Sequence, residues 1–247
     1  MDLPSGMWLE VPLVQQYDAI AVRDADIERV VGPYRERVEI PSLVGALGDV
    51  AGASVLDVGC GSGAYARLLR RRGAAEVVGV DVSAAMVAEA RRAEEREPLG
   101  VRYEVHDLAA LPVLGEFSAA VAVAVLHYAD SRRTLARMGE RICANLAPAG
   151  RLFALVGNPR VTAGVPLANG FVVHRPVGLR DGDPYTVSVP TVPPTTLSVR
   201  HWSCGAFEET LLASGFARVV WEPLQGAADG GGGGDEPVNL LLRAEKG

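Results

Sequence analysis

The stretch Val55-Leu56-Asp57-Val58-Gly59-Cys60-Gly61-Ser62-Gly63 decides how this chain is read. Val55, Leu56 and Val58 supply the apolar run of a short strand buried on both faces, as in a parallel sheet. Gly59, Gly61 and Gly63 then let the backbone turn sharply, and let a ligand approach where a Cβ would clash, before a helix begins near Ala64. A second apolar strand, Val77-Val78-Gly79-Val80, follows and ends in Asp81.

The two acids narrow what such a loop would hold. Asp57, just ahead of the first glycine, would repel a pyrophosphate and attract an ammonium group. Asp81, at the tip of the second strand, suits the two hydroxyls of a ribose. The expected ligand is an adenosine whose far end carries a positive amine, and S-adenosylmethionine has both parts. Asp57-x-Gly59-x-Gly61-x-Gly63 with Asp81 resembles the first two motifs of the class I S-adenosylmethionine-dependent methyltransferases, over most of the chain from about Tyr17 onward. More narrowly, the chain resembles the small-molecule methyltransferases of bacterial secondary metabolism that include toxoflavin-type enzymes. That likeness is carried by Tyr17-Asp18-Ala19-Ile20-Ala21, Leu126-His127-Tyr128-Ala129, Arg180-Asp181-Gly182-Asp183-Pro184 and Trp202-Ser203.

A chain of 247 residues, 49% hydrophobic, can form one α/β domain with insertions and bury a sizeable core. Its net charge of −6 disfavours nucleic acid as a partner, since phosphate binding needs clustered cations. Arg70-Arg71-Arg72 and Arg132-Arg133 lie on or beside expected helices and read as solvated faces. Cys60, Cys143 and Cys204 show neither a metal spacing nor a disulfide framework, which fits a reduced, cytoplasmic compartment. No signal peptide is evident, and the longest apolar run, Ala119 to Leu126, is too short to span a bilayer. The expected partner is a small molecule, without metal, membrane or nucleic acid, for a monomer or homodimer.

Strands and helices alternate through the middle of the chain, which predicts a parallel sheet with helices on both faces. The expected strands are Val55–Val58, Val77–Val80, Val101–Val105, Phe117–Val125 and Arg151–Val156. Helices are expected from Ala64 to Arg72, capped by Gly73; from Ser83 to Arg96; and from Asp130 or Ser131 through Leu146. Ahead of them, a helical pattern runs from Tyr17 to Val31, Pro33 breaks it, and a second helix spans Ile40–Leu47. Residues 1–16 read as irregular, with Trp8 and Leu9 packing somewhere. Residues 160–200, rich in Pro, Gly, Val and Thr, read as an inserted β element. A helix over Ser203–Ser214 and two closing strands, Phe216–Trp221 and Pro237–Arg243, complete the chain, with Gly230–Gly234 expected to form a mobile loop. The resemblance implies a Rossmann-like seven-stranded, mostly parallel sheet ending in an antiparallel hairpin. It also implies a helical lid over residues 1–50, and a core over 51–247 that carries the substrate-binding insertion.

Ligands in open α/β sheets sit beyond the carboxyl ends of the strands, where the glycine loop, Asp81, Asp107 and Val125 to Tyr128 converge. Asp81 is expected on the ribose, Val82 and Met86 beside the adenine, and Asp107 with the Leu108 backbone on the adenine amine. By family analogy, Ala124 or Val125 lends a carbonyl to the methionine ammonium, and Tyr17 belongs to the lid. Each acid also has a plain reading as a cap or turn residue, and Tyr17 one as helix packing. Methyl transfer needs nucleophile, methyl carbon and sulfur in line with water excluded, an arrangement that can supply about 7–11 kcal/mol. A base is needed only if the nucleophile must lose a proton. His127, just past the fourth strand, leads as that base, with a structural role open. Tyr128, His174, His201 and Trp202 are candidates for the substrate cavity; Trp202 reads equally as core, and His106 as structural. Cys60 reads as a small filler.

The implied reaction is methyl transfer to a small natural-product-like acceptor, by default at nitrogen or oxygen, releasing S-adenosylhomocysteine. Sulfur or carbon acceptors, such as the disulfide of a cyclic peptide, stay open. Two rivals remain. One is a nicotinamide-dependent Rossmann oxidoreductase, against which Asp57 and the lack of a Tyr-x-x-x-Lys set argue. The other is a non-catalytic protein of the same fold.

Overall fold

The computed structural model describes residues 12–225 and 237–247. Trp8, Leu9 and the Gly230–Gly234 run lie outside the described residues.

Three helical segments come first: α1 (Leu13–Ala21), α2 (Asp24–Tyr34) and, after a π-helical turn over Arg35–Glu39, α3 (Ile40–Leu47). The break expected at Pro33 instead falls at Val22–Arg23, and Pro33 lies inside α2. Proline removes one helical N–H and crowds the preceding turn, and the widened π turn begins two residues later. The Pro33 carbonyl accepts from Arg37 Nε. The helix therefore changes pitch here and does not end.

Then come β1 (Ser54–Val58), α4 (Ala64–Arg71), β2 (Glu76–Asp81), α5 (Ala84–Arg96), β3 (Arg102–Val105), β4 (Phe117–Val123), α6 (Arg132–Asn145) and β5 (Leu146–Gly157). Single-turn 3-10 helices cover Leu108–Ala110 and Leu126–Tyr128. Ser83 accepts from the Met86 N–H and Ser131 from the Thr134 N–H, so the capping expected of both holds. β5 starts earlier than expected: the Pro148-Ala149-Gly150 turn is a bulge within it, with Ala149 at φ 59°. An antiparallel trio, β6 (Val172–His174), β7 (Pro184–Val189) and β8 (Thr195–Arg200), forms the insertion. α7 (Cys204–Ala213), β9 (Phe216–Glu222) and β10 (Asn239–Lys246) close the fold.

Among the described residues, seven strands form one sheet in the order β3-β2-β1-β4-β5-β10-β9. β1 to β5 pair in parallel, while β10 is antiparallel to both β5 and β9. This is the expected Rossmann-like arrangement. Alternation along β1 divides the core: Leu56 and Val58 face α6 and α7, with Leu135, Ile142, Phe207 and Leu211. Val55 faces α3, α4 and α5, with Leu43, Leu69 and Val87. Asp57, at the next position on Val55's side of the strand, is thereby carried into the α4 face at 1% exposure. Trp202 belongs to the first core, 2% exposed, and its indole N–H donates to the Ala129 carbonyl at 3.2 Å.

Candidate functional site

The loop after β1 is built from three glycines with three different constraints. Gly59 has φ 66°, and a Cβ there would fall 2.2 Å from Val125 Cγ2. Gly63 has φ 89°, and its Cβ would meet Tyr103 Oη at 2.4 Å. Gly61 has φ 54° but meets no atom within 4 Å. Gly59 and Gly63 thus pack against the protein, and Gly61 alone of the three keeps open space.

Asp81 pins this loop. Its Oδ2 accepts the Gly61 N–H at 2.9 Å and its Oδ1 the Ser83 N–H at 2.9 Å. Burial raises its pKa, partly offset by those N–H donors. Each oxygen retains acceptor capacity for a further donor. Asp57 lies beneath the loop with Oδ2 buried and without a hydrogen-bond partner. Burial pushes its pKa up to about 8, against a lowering hydrogen bond from the Ala66 N–H.

A cavity of about 280 Å³ opens beside the loop. Gly59, Gly61, Met86, His127, Tyr128 and Tyr17 line it, so these expected site residues are brought together. Tyr17 Oη donates to Tyr128 Oη at 2.8 Å, tying α1 to the turn after β4. Met86, 4% exposed, packs with Ile20 of α1, and Ser83 Oγ donates to Asp18 Oδ1 at 2.6 Å. His127 has its Nδ1 buried and unpartnered, and burial lowers its pKa to about 4. Its ring centroid stands 4.7 Å from that of Tyr128. Ala124, also lining the cavity, is held at φ 56°, a conformation costly for a residue with a Cβ.

The remaining expected residues are placed elsewhere. Asp57, Gly63, Asp81, Val82, Leu108 and Val125 are outside the lining; Gly63 ends the loop, and Asp57 and Asp81 lie behind it. Asp107 is exposed and caps the 3-10 turn through the Ala109 N–H at 2.9 Å. His174 is exposed and bonded to Ser188 Oγ at 2.8 Å. His201 has a buried, unpartnered Nδ1 yet does not reach the cavity, and Trp202 is core. The sequence reading missed Arg35, Glu39, Tyr65, Asn158 and Asn239, which are polar lining residues. It also missed the apolar wall given by Leu167, Phe171, Val187 and Leu197. Their only sequence signal was the alternation of apolar residues in 160–200.

Residues 55–150 match the family model described as a methyltransferase domain. Over these residues the chain is similar to methyltransferase domains. A ribosomal protein L11 methyltransferase from Burkholderia ambifaria (strain MC40-6) is 39% identical over 101 residues, 41% of this chain and 31% of that relative. The match thus spans about a third of the length of such curated relatives. An S-adenosylmethionine-dependent methyltransferase from Mesorhizobium loti superposes with a TM-score of 0.61 at 25% identity, over 83% of this chain and 96% of that one. CalS10, an amino pentose methyltransferase from Micromonospora echinaspora, shares the fold at a TM-score of 0.58 and 19% identity, over 93% and 92% of the two chains. The matched residues end within β5, so the insertion and the α1–α3 segment that wall the cavity lie outside them.

Proposed function

We propose that the chain is an S-adenosylmethionine-dependent methyltransferase acting on a small, natural-product-like acceptor, at nitrogen or oxygen. One observation carries this reading: a carboxyl with a buried, unpartnered oxygen lies under a glycine loop whose central residue is open. A phosphate-binding loop would place N–H donors there and no acid. Asp57 and the space at Gly61 fit a ligand with a cationic amino-acid end, and Asp81 fits its sugar. Bound S-adenosylmethionine supplies a methyl group already activated on a sulfonium.

The chain's own residues then bind, orient and exclude water. Asp81 holds the ribose hydroxyls and keeps the glycine loop in shape through Gly61. Asp57 offsets the ammonium. Helices α1–α3 act as the lid: Tyr17 bonds Tyr128, Asp18 bonds Ser83, and Gln16 Oε1 accepts the Ser198 N–H of the insertion at 2.7 Å. The acceptor lies against the apolar wall of the insertion, with His127 and Tyr128 facing it. His127, neutral because it is desolvated, is the group we assign to take a proton there.

Thermal melting tests the reading. S-adenosylhomocysteine should raise the midpoint and NAD should not; a shift with NAD alone, or with neither, overturns it. Asp81→Ala should weaken S-adenosylhomocysteine binding by at least ~1–3 kcal/mol in calorimetry, because the sugar donors lose their acceptor.

A further inference from the structure

Three charged side chains that the cofactor reading does not use line the cavity: Asp24, Arg35 and Glu39. Glu39 closes the π turn and lines the cavity, where its carboxylate accepts Tyr65 Oη at 2.7 Å and Asn239 Nδ2 at 2.6 Å. Both partners are neutral. Arg35, which also lines the cavity, forms its ion pair with Glu28, and no ion pair to Glu39 occurs among the described residues. Glu39 is therefore a half-buried carboxylate whose direct hydrogen bonds come from two neutral donors, with Arg35 nearby but paired elsewhere and acceptor sites left over. Burial raises its pKa, against the lowering effect of the Tyr65 hydrogen bond, the Arg35 charge and the Asn239 hydrogen bond. With Arg35 bonded to Glu28 and making no ion pair with Glu39 among the described residues, the carboxylate can take a charged hydrogen-bond donor directly. It is presented by a π turn, a rare geometry that is frequent at functional sites.

On the Tyr65 side Glu39 adjoins α4 just after the glycine loop; on the Asn239 side it lies away from the cofactor groups. Asp81 ends β2 and the glycine loop follows β1, whereas Asn239 opens β10 and pairs with Gly157 at the end of β5. β4 lies between the two sets. The same lining holds Tyr34, Leu167 and Val238, which pack in one apolar cluster beside the π turn. We propose that Glu39 is the recognition group for a methyl acceptor that carries a protonated amine, seated over the ends of β5 and β10. This rests on the methyltransferase reading of the cavity.

A purely structural Glu39 would anchor α3 through Tyr65 and Asn239, and glutamine could serve that purpose. The charge is what the test must isolate. Wild-type protein is first saturated with S-adenosylhomocysteine, then titrated at neutral pH with piperidine, which is protonated, and with its neutral isostere tetrahydropyran. Piperidine should bind more tightly than tetrahydropyran. Glu39→Gln should weaken piperidine roughly tenfold while leaving tetrahydropyran and S-adenosylhomocysteine unchanged. Equal binding of the two probes to wild type, binding of neither, or an undiminished piperidine affinity in Glu39→Gln overturns the proposal. The wild-type comparison decides the matter even if the variant does not fold. Failure of wild type to bind S-adenosylhomocysteine would instead strike the cofactor reading, and is seen before either probe is added.

Discussion

His127 offers the cavity a neutral imidazole, because burial lowers its pKa to about 4. Its protonation therefore lies below the range where an ordinary histidine titrates, about pH 5 to 8. Turnover should show no inflection from His127 in that range. His127→Ala should slow turnover while S-adenosylhomocysteine affinity in calorimetry stays near wild type; full activity removes it from the mechanism. The glycines give a second contrast at this scale. In sequence Gly59 and Gly61 are equivalent, but only Gly59 has Val125 where its Cβ would be. Gly61→Ala should cost the left-handed backbone penalty, roughly 1–2 kcal/mol. Gly59→Ala should cost more, by an overpacking term of ~1–3 kcal/mol. Urea denaturation of both variants checks the order, and equal losses contradict it. The acids Asp57 and Asp81 were legible because a carboxyl beside a glycine loop is locally anomalous. Arg35 and Glu39 were not, because a charged pair on a helix looks like any solvated face until the backbone brings it under an insertion that begins more than a hundred residues later.

Elements were legible where local chemistry and tertiary packing agree. The apolar strands, Ser83 and Ser131 as caps, and Gly73 at φ 93° each follow from short-range rules that the sheet does not oppose. Pro33 was misread because its penalty is local and its remedy is not. Tyr34 and Val38 are buried with Val238, so packing holds the helix together across the proline. Trp202 resolved to core for a similar reason: a tryptophan ahead of a helix cap carries no sign of which layer it joins. A buried ion pair sets the α4–α5 contact, and sequence spacing gave no hint of it. Arg67, with its side chain 8% exposed, binds Glu94 at 2.6 Å and Glu97 at 2.8 Å. Removing one partner of such a pair strands the other. Arg67→Met should lower the unfolding free energy by about 3 kcal/mol, read as a shift in urea midpoint at unchanged slope. A midpoint within error of wild type would mean that the pair contributes nothing net.

The whole molecule sets Asp57 and Asp81 behind the glycine loop and Glu39 in the cavity that opens beside it, and burial raises the pKa of all three. For Asp57 the ordinary value of 3.8 moves to about 8. Between those limits the folded protein holds a proton that the unfolded chain has released. Its contribution to stability is therefore full below the lower limit and declines as pH rises through the window. The ligand-free protein should lose melting temperature from about pH 5 to about pH 8. A cationic ligand acts against that trend, because it favours the ionised carboxyl and must displace the proton to gain the attraction. Below about pH 8, binding of S-adenosylhomocysteine should release protons, and its affinity should rise with pH up to that value. Calorimetry in buffers of different ionisation enthalpy reads the proton count directly. Asp57→Asn should flatten both curves: the ligand-free melting temperature changes less with pH, and proton release falls. Asp81 and Glu39 keep their own smaller share of the slope. If wild type binds without proton release near neutral pH, Asp57 does not change its protonation on binding, and the ligand's ammonium does not displace a proton from it.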